Sequence, residues 1–200
     1  MRLGVLPTNG PVRLARYLAA FQSSFEGVDV EVTEAPMDEL LNCLDDGRLD
    51  LAIVNPCEGL PDSFHCHPLY TEKYVAVLPP DHRLSQQNMV RLKDLSGEPY
   101  VDRLSCEMRE MFQAVCSEHE VELYARFRSE REDWVQAMVL ARIGIAVMPE
   151  YSVTIPDLLQ RPIVEPAVSR TIALASVPGR KFSPATEAMV RMAQSFKWPA

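Results

Sequence analysis

Two cysteines, Cys106 and Cys116, lie ten residues apart in a segment whose apolar residues recur at helical spacing. The pattern predicts a helix over residues 106–118, with Cys106 at its start, where the helix dipole favours the reactive thiolate. Ten helical residues rise about 15 Å, whereas the Cα atoms of a disulfide lie about 5.5–6 Å apart. The helix would therefore have to unwind before the two sulfurs could join. Because Cys116 continues the apolar face of this helix, a position in the core is the alternative interpretation for it.

The cysteines as a set indicate neither a disulfide framework nor a metal site. Their number is odd and no two form a C-x-x-C pair. They are Cys43, Cys57, Cys66, Cys106 and Cys116. His65 and His67 flank one of them, but no second pair follows at the spacing that metal ligands show. We therefore expect reduced thiols, no bound metal and no other cofactor.

The motifs of common enzyme active sites do not occur in this sequence. It contains no G-x-S-x-G, no G-x-G-x-x-G, no P-loop and no H-E-x-x-H. Cys106 and His119 could form a nucleophile and its base, but no third group is placed to orient the histidine. The sequence therefore predicts a protein that is not an enzyme.

The first quarter of the chain alternates between strand and helix patterns. Apolar runs at 3–6 and 49–54 and an alternating run at 28–34 predict three strands, with helical spacing in the segments between them. The run 49–54 is apolar almost throughout, as in a parallel strand that is covered on both faces. Asp50 lies at its entry, where a carboxylate normally caps backbone donors or forms a salt bridge. This order predicts a doubly wound α/β lobe.

A second α/β unit begins near Glu72. Apolar runs predict further strands at 73–78, 99–101, 121–127, 145–148 and 171–177. Ser129 and Glu132 have the S-x-x-E spacing of a capping box, which predicts that a helix begins there, and Gly144 is the predicted end of that helix.

The last predicted helix, over residues 184–196, has no place in the second unit and is assigned to the first. We therefore predict a discontinuous lobe I of residues 1–71 and 172–200 and a continuous lobe II of residues 72–171. The predicted fold class is α/β, with two Rossmann-like lobes joined by two crossover segments and a cleft between them.

Charge and hydropathy restrict the partners of this chain. Its net charge is −8, which argues against direct binding to a phosphate backbone, because that requires clustered lysines and arginines. No apolar segment approaches the roughly 18 residues of a membrane span, and the N-terminus has no features of a secretion signal. The sequence therefore predicts a cytoplasmic protein without membrane contact.

Four segments in this order carry a resemblance to a known family: GRLDLAIVNP, PLYTEKYVAVLPPDHRLS, LKDLSGEPYV and MVLARIGIAVMPEYSV. Over essentially its whole length, the chain resembles the effector-binding domain of LysR-type transcription regulators. The resemblance implies a fold similar to that of type 2 periplasmic binding proteins, which agrees with the two predicted lobes.

The resemblance also implies a function. In this family a small effector, with carboxylates among the candidate classes, binds between the lobes and shifts their populations. The shift alters the packing of dimers into tetramers and thereby promoter control. Promoter DNA is bound by an N-terminal winged helix-turn-helix, which we expect to be absent here because the sequence begins at the first strand of the effector domain. We expect a homodimer, with tetramers in the full-length protein.

Several segments should meet at the effector site. Their candidate binding residues are Pro7, Thr8, Asn9, Met37, Asn55, Asp102, Arg103, Ser105, Cys106, Ser129 and Arg131. Arg103 could clamp a carboxylate through two hydrogen bonds. Many family members have a small hydroxyl residue near the position of Met37, so a methionine there makes the expected pocket more apolar.

Each candidate also has a structural interpretation. Thr8, Ser105 and Ser129 stand where helix N-caps are expected, and Asn55 could simply end its strand. Arg103 could instead form a surface ion pair with a neighbouring acid, Asp102 or Glu107.

Two alternative functions share this fold. Peroxide-sensing LysR-type regulators have a reactive cysteine near the position of Cys106 and a second one a helix length later, which favours a thiol-based oxidant sensor using Cys106 and Cys116. The residues before the reactive cysteine are typically Gly-His in those sensors and are Leu-Ser here. A free-standing solute-binding protein would have the same fold, but we expect it to carry a secretion signal or a lipid anchor.

Overall fold

The computed structural model describes residues 1–56 and 59–198, and the chain divides into two compact units. Unit 1 comprises Met1–Thr71 and Thr171–Ala200, and unit 2 comprises Glu72–Arg170. Two strands, His65–Leu78 and Ser169–Ser176, contain residues of both units, so the chain passes from one unit to the other within them.

The chain combines strands and helices, with alternation in its first part and runs of consecutive strands later, which confirms the predicted α/β class. In chain order the elements are β1 (Arg2–Val5), α1 (Pro11–Ser24), β2 (Glu31–Glu34), α2 (Met37–Asp45), β3 (Leu51–Val54), β4 (His65–Leu78), β5 (Val90–Arg91), β6 (Pro99–Arg103), α3 (Arg109–Glu118), β7 (Tyr124–Ser129), α4 (Glu132–Leu140), β8 (Ala146–Pro149), β9 (Leu159–Val164), β10 (Ser169–Ser176) and α5 (Pro184–Ser195). Within residues 1–56 and 59–198, none of these helices is both long and apolar enough to cross a membrane.

Unit 1 is built on three parallel strands connected by helices. β1 lies in the middle and pairs with β2 on one side and β3 on the other. Every residue of β3 is buried, as predicted for a parallel strand covered on both faces. The returning strand β10 then pairs antiparallel with β3, and α5 packs against α1, where Tyr17 Oη donates to the carbonyl of Met189 at 2.7 Å. The predicted return of the last helix to the first part of the chain is thus confirmed.

Asp50 joins the entries of β1 and β3. Its Oδ2 accepts a hydrogen bond from the backbone N–H of Arg2 at 2.6 Å, and its Oδ1 lies 3.4 Å from Arg2 Nη2. A charge can stand beside a fully buried strand because it remains near solvent and satisfies a backbone donor. The structural role predicted for Asp50 is therefore confirmed.

Unit 2 combines antiparallel and parallel pairing. The second part of β4 pairs antiparallel with β8 and β9, and β9 pairs in parallel with β5. A separate parallel pair, β6 and β7, carries the candidate residues of this unit. The helix α3 packs its buried residues Phe112 and Cys116 into one core, and α4 packs Val135 and Val139 into another.

Two predicted helix starts are wrong. α3 begins at Arg109 and not at Cys106, because residues 104–108 form turns before the helix. α4 begins at Glu132 with Arg131 as its N-cap, and Ser129 is the last residue of β7. The capping-box spacing was misleading here because residues 124–129 continue in parallel pairing with β6, which keeps Ser129 in an extended backbone.

Gly144 does not end α4, which stops at Leu140. A Cβ at Gly144 would lie only 2.4 Å from the carbonyl oxygen of Pro99. The next residue, Ile145, donates its N–H to that carbonyl at 2.8 Å and accepts from the N–H of Val101 at 2.9 Å. Glycine is required at 144 because two backbone segments approach each other closely there, which fixes β6 beside the start of β8.

We predict that Gly144→Ala lowers the free energy of unfolding by about 1–3 kcal/mol, because the backbone near Pro99 must move to accept a methyl group. Urea denaturation measures the loss, and hydrogen exchange of the Val101 and Ile145 amides locates it. The control is Gly97→Ala, where φ is +78° and a Cβ would meet nothing within 4 Å. Gly97→Ala should lower the free energy of unfolding without accelerating hydrogen exchange of the Val101 and Ile145 amides. Equal exchange rates of these amides in the two variants would contradict the close approach of the backbone at Gly144.

Candidate functional site

The candidate residues of unit 2 are placed by the end of β6. Asp102 and Arg103 are the last two residues of this strand, both are buried, and they pair in register with Arg128 and Ser129 of β7. Residues 104–108, here called the Cys106 segment, then lead into α3. Parallel strands bring their carboxyl ends to one edge of a sheet, which is a common position for ligand-binding groups.

Cys106 lies in this segment with its sulfur near two side-chain donors. Arg103 Nη1 donates to the sulfur at 3.6 Å, and the hydroxyl of Tyr74 lies 3.7 Å from it. The backbone N–H of Arg109 donates to the Cys106 carbonyl at 3.0 Å, which holds the segment against the start of α3. The polar groups around this thiol are therefore Arg103 and Tyr74, because Cys106 lies before α3 and not at its first turn.

Arg103 is held by an acid that the sequence did not suggest. Its side chain is 3% exposed, its Nε donates to Glu132 Oε1 at 2.9 Å, and its Nη1 donates to the carbonyl of Val147 at 3.1 Å. Burial alone would lower the pKa of Arg103, but the negative charge of Glu132 outweighs that effect and holds the pKa well above its usual value. The alternative considered for Arg103, a surface ion pair with Asp102 or Glu107, is therefore wrong. Its Nη2 has no hydrogen-bond partner in the described part of the chain.

Asp102 is shared by two other arginines. Its carboxylate accepts from Arg109 Nη2 at 2.6 Å and from Arg109 Nε at 3.1 and 3.2 Å. Arg128 Nε lies 3.8 Å from the same carboxylate. The start of α3 is thus fixed to the end of β6 by a charge-assisted pair with two N–H donors.

A buried ion cluster lies beside the Cys106 segment. Arg170 Nε and Nη2 donate to Glu72 Oε1 at 2.9 and 2.8 Å, and the side chains of both residues are fully buried. Arg170 Nη1 donates to Glu107, whose side chain is 7% exposed. Glu72 belongs to β4 and Arg170 to β10, which are the two strands that connect the units. The cluster therefore links these two strands to each other and to Glu107, the residue after Cys106.

Unit 2 also contains a cavity of about 740 Å³ that is partly open to solvent. One face of α3 lines it with Arg109, Phe112, Gln113, Cys116 and Ser117, which are spaced as one helical face requires. The strands β6 and β7 line the other side, and Cys106 lies in the wall. A volume of this size lies in the usual range for small-molecule pockets.

Cys106 and Cys116 line the same cavity but differ in character. Cys106 is partly exposed, whereas Cys116 is 6% exposed and packs into the core of unit 2, which confirms the core position considered for it. Burial raises the pKa of the Cys116 thiol to about 11, so it is protonated near neutral pH. The structure records Cys43, Cys66, Cys106 and Cys116 as free thiols, and Cys57 lies outside the described residues.

Unit 1 places three buried polar residues after its parallel strands. Thr8 and Asn9 follow β1, and Asn55 follows β3 directly. Asn9 Nδ2 donates to the carbonyl of Ile53 at 3.0 Å, while its Oδ1 is buried without a hydrogen-bond partner among residues 1–56 and 59–198. Thr8 is not an N-cap, since Gly10 occupies that position in α1.

The remaining candidates have fewer contacts. Pro7 is partly buried after β1, and Met37, the first residue of α2, is partly buried against the apolar cluster around Leu40. Ser105 lies in the Cys106 segment and is not an N-cap, because Met108 has that position in α3. Ser129 Oγ accepts the N–H of Arg131, which is exposed and pairs with Asp133.

The described residues contain no cluster of histidines, cysteines or acids that could hold a metal ion, and His65 and His67 have no further ligand near them. Sequence reasoning missed Tyr74, Glu132 and the Glu72–Arg170 pair. The sequence does contain a feature that could have indicated a structural role for Glu72 and Arg170: each of these charged residues precedes an apolar run, as Asp50 does. Their partnership could not be read from the sequence, since they lie 98 residues apart.

Comparison with known proteins identifies the family. The model of the LysR substrate binding domain matches residues 1–197. The chain belongs to this family. It is therefore the ligand-binding domain of a LysR-type regulator, and its fold is the periplasmic-binding-protein-like fold predicted from the sequence.

Relatives of this LysR domain include a hydrogen peroxide-inducible genes activator of Haemophilus influenzae. It is 29% identical over 185 residues, which cover 90% of this chain and 61% of that protein. The chain thus spans less than two thirds of the relative.

Two solved structures resemble the domain closely. The C-terminal domain of a probable LysR family transcriptional regulator from Rhodococcus sp. RHA1 has a TM-score of 0.85 and 26% identity, covering 96% of this chain and 97% of that one. The oxidized form of OxyR has a TM-score of 0.78 and 26% identity, covering 98% and 92%.

We predict that Arg170→Met lowers the free energy of unfolding by about 3–5 kcal/mol, because it leaves two buried carboxylates without their cation. Urea denaturation at pH 7 measures the loss. The control is Arg191→Met, which removes an exposed pair with Glu187 four residues earlier and should cost only about 0.3–0.5 kcal/mol. Equal losses in the two variants would contradict the structural role of the cluster.

Proposed function

We propose that this domain senses a small organic molecule and regulates transcription through a DNA-binding part of the LysR-type regulator. The observation that carries the proposal is the family match across residues 1–197, which spans both units. The relative from Haemophilus influenzae, of which the chain covers 61%, is a gene activator by name. The proposal includes promoter DNA bound outside this chain, a homodimer of the domain, tetramers of the whole regulator, and action in the cytoplasm.

The proposed effector contacts lie in both units. In unit 1 they are Pro7, Thr8, Asn9, Met37 and Asn55, and in unit 2 they are Asp102, Arg103, Ser105 and Cys106, with Ser129 and Arg131 as weaker candidates. Asn9 Oδ1 and Arg103 Nη2 support the proposal, since both are buried and lack a hydrogen-bond partner among the described residues. Leaving such an atom unpaired costs about 1–3 kcal/mol, so a ligand that pairs with it is favoured.

The structure changes the role proposed for Arg103. Its Nε and Nη1 already donate hydrogen bonds within the protein, so only Nη2 is available to a ligand. Arg103 therefore cannot bind a carboxylate through two free N–H donors. Removing Arg103 would also leave Glu132, whose side chain is 15% exposed, without its cationic partner. An Arg103 variant would therefore confuse loss of binding with loss of folding.

We predict that Asn9→Ala abolishes effector-dependent transcription by the full-length regulator while leaving promoter binding intact, because it removes an acceptor for the effector. A screen of small organic acids by thermal shift supplies the effector, and a reporter gene measures the response. The control is Asn42→Ala, which changes an exposed asparagine of α2. If both variants respond like the wild type, Asn9 is not an effector contact. If no compound shifts the melting temperature or the reporter output, the sensing function itself is wrong.

Oxidant sensing through Cys106 is the second candidate function. The specific observation in its favour is the position of the Cys106 sulfur, which accepts from the cationic Arg103 and lies beside the Tyr74 hydroxyl. The relative named as an activator of hydrogen peroxide-inducible genes supports the same candidate.

If Cys106 is an oxidant sensor, mild hydrogen peroxide at pH 7 should convert it to a sulfenic acid that dimedone traps. Cys116 should stay unmodified in the initial reaction, because it is buried and its pKa of about 11 keeps it protonated. Mass spectrometry after digestion quantifies each thiol. The exposed Cys66 is the internal control, and oxidation of Cys66 with an unmodified Cys106 would exclude this second function.

A further inference from the structure

The cavity of unit 2 extends along α3 and has chemically different ends. Near the start of α3 its wall contains Asp102, Arg109 and Arg128, and beyond the end of the helix it contains Glu120 and Glu122. Ten residues of α-helix separate these ends by about 15 Å. The cavity is therefore long enough for an elongated organic molecule and presents opposite charges at its two ends.

The end near the start of α3 has an excess of positive charge. The Asp102 carboxylate, which is 7% exposed, lies between the guanidinium groups of Arg109 and Arg128. One negative charge against two positive charges leaves a net charge of about +1 there. Arg128 is 57% exposed and only 3.8 Å from Asp102, and it forms no other ion pair in the described part of the chain, so its guanidinium is available to an anion.

Between its ends the cavity is lined by apolar side chains together with the polar residues Gln113 and Ser117 of α3. Phe112 is a buried residue of α3, and Tyr100 of β6 contributes from the opposite side together with Leu123 and Ala125. An aliphatic or aromatic body of a ligand would be favoured there, because burying apolar surface releases it from water. At the far end, the exposed Glu120 and Glu122 would repel a second carboxylate.

We propose that this cavity binds an amphipathic organic monocarboxylate. Its carboxylate pairs with Arg109 and Arg128, and its apolar body lies along α3 against Tyr100 and Phe112. The inference rests on the proposed sensing function and adds to it a ligand class and a site within unit 2, whose lining does not include Asn9. Such a ligand would also cover the sulfurs of Cys106 and Cys116, since both line the cavity.

Three probes of equal chain length test the charge requirement on the whole 200-residue chain. Octanoate has a carboxylate at one end, octanedioate has one at each end, and octanamide has none. We expect octanoate to bind about tenfold more tightly than either of the others by titration calorimetry, because only octanoate has the favourable charge without the unfavourable one.

The thiols provide a second readout that reports the position of the ligand. Octanoate at ten times its Kd should slow the alkylation of Cys106 by iodoacetamide about tenfold, because only the unoccupied fraction reacts. Cys66 is exposed and does not line the cavity, so its rate should not change. Unchanged labelling of Cys106 with bound octanoate would place the ligand elsewhere and overturn the proposal.

A matched pair of variants tests the cationic end. Arg128→Ala should weaken octanoate binding about tenfold, whereas Arg126→Ala removes the same charge from the same strand outside the cavity lining and should leave binding unchanged. Equal effects in both variants, or no binding of octanoate to the wild type, would overturn the proposal. The sensing function would survive that result if Asn9→Ala still abolished the effector response of the full-length regulator.

Discussion

The arrangement of unit 2 depends on the ion pairs that the buried guanidinium of Arg170 forms with Glu72 and Glu107. The guanidinium sits between the carboxylates of Glu72 and Glu107, and none of these three side chains is more than 7% exposed. Taking such charges out of water is unfavourable, so the cluster is stable only while every member keeps its partners. Because Glu72 and Arg170 belong to the two strands that connect the units, and Glu107 follows Cys106, the connecting strands and the Cys106 segment are fixed together.

The requirement that a buried charge keeps its partner also determines which arginines of the candidate site can bind a ligand. Arg103 is held by Glu132 and by the carbonyl of Val147, and the remaining contacts of its guanidinium are the Cys106 sulfur and one unpaired N–H group. It is therefore better placed to position Cys106 than to capture a ligand carboxylate. The arginines with available donors are those around Asp102, where α3 begins. The Cys106 thiol and the arginines around Asp102 consequently line one cavity.

Much of the fold could be predicted because local pattern and tertiary structure agree. The apolar run of β3, the helical spacing in α1 and the proline at its start each specify an element without reference to distant residues. The errors arose where a local signal competed with a long-range contact. Ser129 has capping-box spacing, but pairing with β6 keeps it in β7. Gly144 resembles a helix end, yet its small size serves the approach of Pro99, 45 residues earlier in the chain.

The sequence by itself determined the alternation of strands and helices in the first quarter of the chain, the buried position of β3, the structural role of Asp50 and the resemblance that led to the LysR family. These follow from the spacing of apolar residues and from short segments in a fixed order. Only the tertiary structure decided which acid neutralises which arginine, that Cys106 precedes its helix, and that both cysteines line one cavity. The physical reason is that charge pairing depends on distances in space, and residues such as Glu72 and Arg170 meet only after the intervening chain has folded.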